Sequence, residues 1–266
     1  MDQPSRSFLI MPYLDLGSER IYYALQRNQA AGVPVLLIHG AGENHLIWPS
    51  GLRRLPGASV YAIDLPGHGK SSGTGRGTIA DYAEWLAAFC AALRLPTAVL
   101  IGHSMGGAIA QWLALTHSDR TAALVLVATG AKLRVAPQLL EQAQNDFAAA
   151  VDLVSDWGWG PAAPEELKRL GKQQLLANIP AVMLTDYRAC DAFDVRGQLK
   201  AILAPTLIIA GEADQMTPLK HAAFLAEHIP LAHLTAVPGA GHMVMLEAAE
   251  IVTDAIRDFL RENRLV

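Results

Sequence analysis

Cysteine is scarce, with only Cys90 and Cys190 in 266 residues. Neither belongs to a metal-ligand spacing, so no metal site is expected. Cys90 lies in the apolar stretch Ala87 to Leu93 and reads as a buried, inert thiol. Nothing in the spacing supports a disulfide. Charge is also low. Asp, Glu, Lys and Arg make up 17% of the chain, the net charge is −4, and no Lys/Arg cluster stands out. A phosphate backbone demands such a cluster, so nucleic acid is not an expected partner. No apolar run approaches the ~20 residues that span a bilayer. The stretch Met1 to Ser7 has no basic segment followed by an apolar one, which argues against a signal peptide and makes the cytoplasm the expected location. Internal repeats and low-complexity tracts are missing as well.

What remains is a well-buried globular composition, 52% hydrophobic with 22 glycines. Short β-rich runs alternate with amphipathic stretches. That alternation predicts a mostly parallel sheet with helices on both faces. Eight strands are predicted: Phe8–Leu14 and Arg20–Gln26 as a hairpin around Gly17-Ser18, then Val33–His39, Ser59–Leu65, Ala98–Ile101, Ala123–Ala128, Thr206–Ala210 and His233–Val237. Helices are predicted over Ile79–Leu93 with Thr78 as N-cap and over Met105–Thr116. Two more are predicted over Pro218–Glu227 with Thr217 as N-cap, and over Glu247–Leu260 with Ile251, Ala255, Ile256 and Phe259 on one face. From about Ala131 to Leu203 the alternation stops. Pro137, Pro161 and Pro180 mark breaks in a segment of helical apolar spacing. Structureless loops of that length are rare, so this is read as an inserted helical cap. The expected organisation is a core of residues 1–131 and 204–266 with a cap at 132–203.

The densest signal is Gly102-His103-Ser104-Met105-Gly106-Gly107, directly after the apolar run Ala98 to Ile101. A strand ends, a tight turn presents one serine, and a helix starts. In such an elbow the serine backbone is strained and its hydroxyl points outward. Glycines two residues either side leave room for the bend. A serine hydroxyl is a poor nucleophile near neutral pH and needs a base backed by a carboxylate. Asp214 follows the strand Thr206–Ala210, and His242 follows His233–Val237 through Gly239-Ala240-Gly241. Both thus sit at strand carboxyl ends, where open parallel sheets bind ligands. Glu212, Asp191 and Asp194 are the rival carboxylates. His103 is expected to point away from its neighbour, and Asp64 to brace its own loop. Trp157 and Trp159 are candidates to roof a pocket, and Met105 and Met243 to line it.

With His39-Gly40-Ala41-Gly42 after the third strand and Asp64-Leu65-Pro66-Gly67-His68-Gly69-Lys70-Ser71 after the fourth, the chain resembles the α/β-hydrolase superfamily over nearly its whole length. The order Ser, Asp, His is that of the family. The resemblance implies that Ser104 is the nucleophile, His242 the general base and Asp214 the orienting acid. It also implies an oxyanion hole of the Ala41 and Met105 backbone N–H groups. The family sometimes carries the acid after the sixth strand, where this chain has Thr129-Gly130. Relatives that open epoxides or displace halide carry Asp in place of the serine. No cofactor is implied.

The reading that follows is a serine carboxylesterase taking modest, mainly apolar esters, with water as second substrate. One alternative is a hydrolase of enol-lactones or carbon–carbon bonds. It calls for a cap cation, for which Arg134, Lys168, Arg169, Lys172 and Arg188 are candidates. Another alternative is a receptor that uses the pocket for binding with slow or absent turnover. The oligomeric state is left open.

Overall fold

Continuous apolar runs become strands buried on both faces, and here they form the centre of one sheet. The computed structural model describes residues 9–10, 12–28 and 32–266. The strands are β1 (Leu9–Ile10), β2 (Tyr13–Leu16), β3 (Glu19–Gln26), β4 (Val35–Ile38), β5 (Val60–Ile63), β6 (Ala98–His103), β7 (Thr121–Val127), β8 (Thr206–Gly211) and β9 (Ala232–Val237). Their order is β1-β3-β5-β4-β6-β7-β8-β9, with β2 paired only to β3. From β5 to β9 every pairing is parallel, and β3 runs antiparallel to β5. All residues of β4, β6 and β8 are buried, as a sheet covered on both faces requires.

The helices are α1 (Ser50–Arg53), α2 (Ile79–Ala92), α3 (Met105–Thr116), α4 (Pro137–Asn145), α5 (Phe147–Trp157), α6 (Glu165–Leu176), α7 (Pro180–Asp191), α8 (Leu219–His228), α9 (Val244–Glu247) and α10 (Ala249–Glu262). Strand side chains alternate between two cores. Leu36, Ile38 and Leu100 pack with Leu86 of α2, Leu113 of α3 and Leu225 of α8. Val35, Leu37 and Ile101 pack with Leu52 of α1 and Ile256 of α10 on the other face. Thr78 caps α2 by accepting the Asp81 N–H at 3.0 Å. No helix among the described residues is long and apolar enough to cross a membrane.

Four details differ from expectation. Among the described residues the first predicted strand stands as two short pieces, β1 and β2, with Pro12, which lacks a ladder donor, between them; Phe8 and Met11 lie outside the described residues, as does the Met1–Ser7 stretch. The last helix is broken at Ala248 into α9 and α10. Its buried stripe is Val252, Ile256, Phe259 and Leu260, and Ile251 is 54% exposed because it lies off that stripe. The helix after β8 starts at Leu219 with Pro218 as N-cap, so Thr217 does not cap it.

Between β7 and β8 the chain forms α4 to α7, with Pro137 and Pro180 in the first turns of α4 and α7. Proline suits the first turn, where the missing N–H has no intrahelical acceptor. Leu139, Ala143, Ala150, Val151, Met183 and Tyr187 give these helices a small core. An antiparallel bridge between Lys132 and Asp194 joins the two ends of the segment.

Candidate active site

Ser104 links β6 to α3 with φ 50° and ψ −114°. This left-handed backbone is rare for a residue with a side chain and costs on the order of 1–3 kcal/mol. Neighbouring bonds hold it. The Ser104 N–H donates to the Val127 carbonyl at 2.9 Å. Its own carbonyl accepts from Thr129 Oγ1 at 2.8 Å and from the Gly107 N–H at 3.0 Å. The flanking glycines are a packing requirement: a Cβ on Gly102 would strike the Gly106 backbone, and one on Gly106 would strike the Ile38 carbonyl.

Asp214 and His242 meet just past the ends of β8 and β9. Asp214 Oδ2 lies 2.9 Å from His242 Nδ1 and accepts the Thr217 hydroxyl at 2.6 Å. Its Oδ1 accepts the N–H groups of Met216 and Thr217, each at 2.8 Å. Burial pushes the Asp214 carboxyl upward, but His242 and Thr217 together hold it well below the usual carboxylate range. It is therefore an acceptor at neutral pH, which places the proton of a neutral His242 ring on Nδ1 and leaves its Nε2 unprotonated. Burial lowers the His242 pKa, but Asp214, Glu43 and Glu247 outweigh it and raise the net value above 6.5.

Ser104 and His242 open onto one cavity of about 620 Å³, which Met243, Trp157 and Trp159 also line. The Met105 side chain is fully buried in the core under α3, and the cavity wall does not include it. As the first residue of its helix, Met105 points back onto the sheet, so its side chain is not the pocket group expected. Its N–H lies ahead of the intrahelical ladder.

Ala41 occupies the turn after β4. The amides on either side of it are tied to carboxylates. Gly40 N–H donates to Glu43 Oε2 at 2.6 Å, and Gly42 N–H donates to Asp186 Oδ2 at 3.0 Å. Glu43 also lies 2.8 Å from His103 Nδ1, and His103 Nε2 donates to the His242 carbonyl at 3.1 Å. Burial raises the Glu43 pKa, but His103 beside it brings the net value below normal. His103 thus points away from Ser104 and into the support behind His242. Asp64 accepts the Lys70 N–H within its own loop and the His45 N–H from the segment after β4, so it ties the two loops together.

The rival carboxylates lie elsewhere. Glu212 is exposed, Asp191 accepts the Val135 N–H, and Asp194 pairs with Lys132 and Arg196. Thr217, Glu43 and Asp186 are site neighbours that sequence reasoning missed. The Thr-Pro pair signalled a helix start and hid the Thr217 role. Both cysteines are free and buried, and burial pushes the Cys90 thiol up to about 12. Among the described residues, no group of three or more His, Cys, Asp or Glu side chains is arranged to hold a metal ion.

Comparison with known proteins agrees with this architecture. A solved structure described as a thermophilic esterase superposes with a TM-score of 0.85 at 34% identity, covering 96% of this chain and 99% of that one. The pimeloyl-[acyl-carrier protein] methyl ester esterase of Vibrio vulnificus is 28% identical over 77% of this chain and 85% of its own length. The dihydrolipoyllysine-residue acetyltransferase component of the acetoin cleaving system of Pseudomonas putida is 32% identical over 87% of this chain, which spans 64% of that protein's length. Residues 35–255 match the model of the alpha/beta hydrolase family, and with that match over most of its length the chain belongs to this family.

Proposed function

We propose that this protein hydrolyses carboxylic esters through an acyl-enzyme on Ser104. The observation that carries the reading is the Asp214–His242 bond of 2.9 Å at the cavity that also holds the strained serine. Ser104 Oγ attacks the ester carbonyl carbon while His242 Nε2 takes the hydroxyl proton. The tetrahedral oxyanion is held by the N–H groups of Ala41 and Met105. One such donor is worth about 3–4 kcal/mol of barrier. Collapse breaks the bond to the alcohol oxygen, and His242 protonates the departing alcohol. Water then attacks the acyl carbon and gives its proton to His242. The second collapse breaks the bond to Ser104 Oγ, His242 returns the proton to that oxygen, and the carboxylic acid leaves.

The segment 132–203 acts in this reading as a cap. Trp157, Trp159, Val154, Leu170 and Leu175 make its contribution to the wall apolar, which favours modest apolar acyl and alcohol groups. The esterase names among its relatives support the reaction class. The test is release of p-nitrophenol from short-chain acyl esters. Serine-dependent turnover, lost in Ser104→Ala, is expected. Equal turnover by Ser104→Ala contradicts the proposal, and a stable adduct without repeated turnover favours the receptor alternative.

A second reading, hydrolysis of a lactone bearing a carboxylate, is favoured by one observation. Of the five cap cations considered, Lys168, Arg169 and Lys172 are ion-paired and Arg188 donates to Gln144. Arg134 lines the cavity and has no ion-pair partner among the described residues. Faster turnover of acidic than of neutral substrates, reduced by Arg134→Gln, supports that reading. No preference for acids argues against it.

A further inference from the structure

Asp186 on α7 is fully buried, although a carboxylate is costly to desolvate unless every oxygen is satisfied. Its partners come from three distant parts of the chain. Oδ1 accepts the Tyr82 hydroxyl of α2 at 2.6 Å. Oδ2 accepts the Gly42 N–H at 3.0 Å and lies 2.7 Å from His68 Nε2. The other ring nitrogen of His68 is 3.0 Å from the Pro66 carbonyl. Both ring nitrogens thus face acceptors, the arrangement of an imidazolium. Burial lowers the His68 pKa, but Asp186 outweighs it and the net shift is upward.

Gly42 is held at its other end too. Its carbonyl accepts from Asn178 Nδ2, in the turn before α7. Its φ of +65° suits glycine, and a Cβ there would lie 3.0 Å from Met183 Sδ of the same helix. Both polar groups of Gly42 are thus gripped by the helical segment rather than by the sheet. Ala41 is the residue just before it.

We propose that Asp186 is a positioning residue for the oxyanion turn: by accepting the Gly42 N–H it aims the adjacent Ala41 amide, so the hole is assembled only while α7 is seated on the core. This rests on the ester-hydrolysis reading of Ser104. Two accepting oxygens let the side chain hold the Tyr82 hydroxyl on one and the Gly42 N–H on the other, which the single accepting oxygen of an asparagine cannot do. A purely structural Asp186 would glue α7 to α2 and affect folding alone. A positioning Asp186 changes how tightly the turn holds a developing oxyanion.

The experiment compares Asp186→Asn with Tyr82→Phe, which removes the bond to the oxygen remote from Gly42. Both variants should lower Tm. Asp186→Asn should also lower kcat for a p-nitrophenyl ester by about 10–100-fold, the scale of a misaligned reacting group, with KM little changed. Its affinity for a boronic acid that mimics the tetrahedral intermediate should fall by a similar factor. Tyr82→Phe should leave kcat and boronate affinity as in the wild type. Loss of Tm alone in Asp186→Asn, with kcat and boronate affinity intact, overturns the proposal.

Should Asp186→Asn fail to fold, Asn178→Ala releases the Gly42 carbonyl. It should show the same paired fall in kcat and boronate affinity, and no change overturns the proposal. Amide hydrogen exchange at Gly42 gives a readout independent of turnover. Exchange should accelerate in Asp186→Asn, and wild-type protection there overturns the proposal. Absence of Ser104-dependent turnover in the wild type instead defeats the ester reading, and Gly42 exchange still reports whether Asp186 holds the turn.

Discussion

Glu43 and His103 form a buried pair directly behind His242. Glu43 Oε2 stands 2.8 Å from His103 Nδ1, and the His103 ring lies 4.8 Å from that of His242, centroid to centroid. A carboxylate held ionised there acts on the proposed general base across the tilted His103 ring. It also ties the Gly40 amide, one residue before Ala41. One residue thus bears on both the proposed base and the proposed oxyanion turn.

Glu43→Gln should therefore move the acid limb of kcat/KM to lower pH. Activity is lost as pH falls through the His242 pKa, because protonated Nε2 cannot accept the serine proton. Asp214, Glu43 and Glu247 raise that pKa against the effect of burial. Removing one negative charge lowers it, so activity persists further into acid. A pH–rate profile checks this, and an unmoved limb contradicts it.

Asp214→Asn should lower kcat by about 10³–10⁴-fold. The amide leaves His242 without the acceptor that holds its proton on Nδ1, and no rival carboxylate stands by to replace it. Circular dichroism should show a folded protein. A loss below tenfold in steady-state turnover argues against Asp214 as the orienting acid.

His68 should make stability depend on pH in the neutral and alkaline range. Its folded pKa is raised above the ordinary 6.5, so the folded state binds the proton more tightly than the unfolded chain. That contribution is fully present below about pH 6.5 and is lost as pH rises through the folded value. Urea unfolding of wild type and His68→Gln across a pH series should show their difference shrinking toward alkaline pH. A constant difference contradicts the assignment.

Gly106→Ala should destabilise the protein by about 3 kcal/mol or prevent folding. The added methyl meets the Ile38 carbonyl, a backbone atom of the central sheet that cannot rotate away. Chemical denaturation measures it. A loss under ~0.5 kcal/mol would mean that the elbow has room to spare.

The sheet and the elbow were legible because their signals are local. An apolar run followed by Gly-x-Ser-x-Gly states strand, bend and helix start within a few residues. Asp214 and His242 were legible because each follows its own strand. The support around them was not, because it depends on contacts between distant positions. His68 and Asp186 are 118 residues apart, and Glu43 and His103 are 60. Such pairs leave no mark in periodicity. Thr217 carried a local signal that pointed the wrong way: Thr-Pro starts helices, yet its hydroxyl turns to Asp214. Ile251 failed because an amphipathic stripe assigned a residue early moves one apolar side chain into solvent.

The central claim is that Ser104, His242 and Asp214 work as one nucleophilic unit. Intact-mass analysis after treatment with phenylmethylsulfonyl fluoride tests it most directly. One sulfonyl group mapped to Ser104 is predicted, with none on Ser104→Ala and markedly slower labelling of Asp214→Asn. Full ester turnover persisting with Ser104 unlabelled, or labelling at equal rates in all three proteins, would contradict the account.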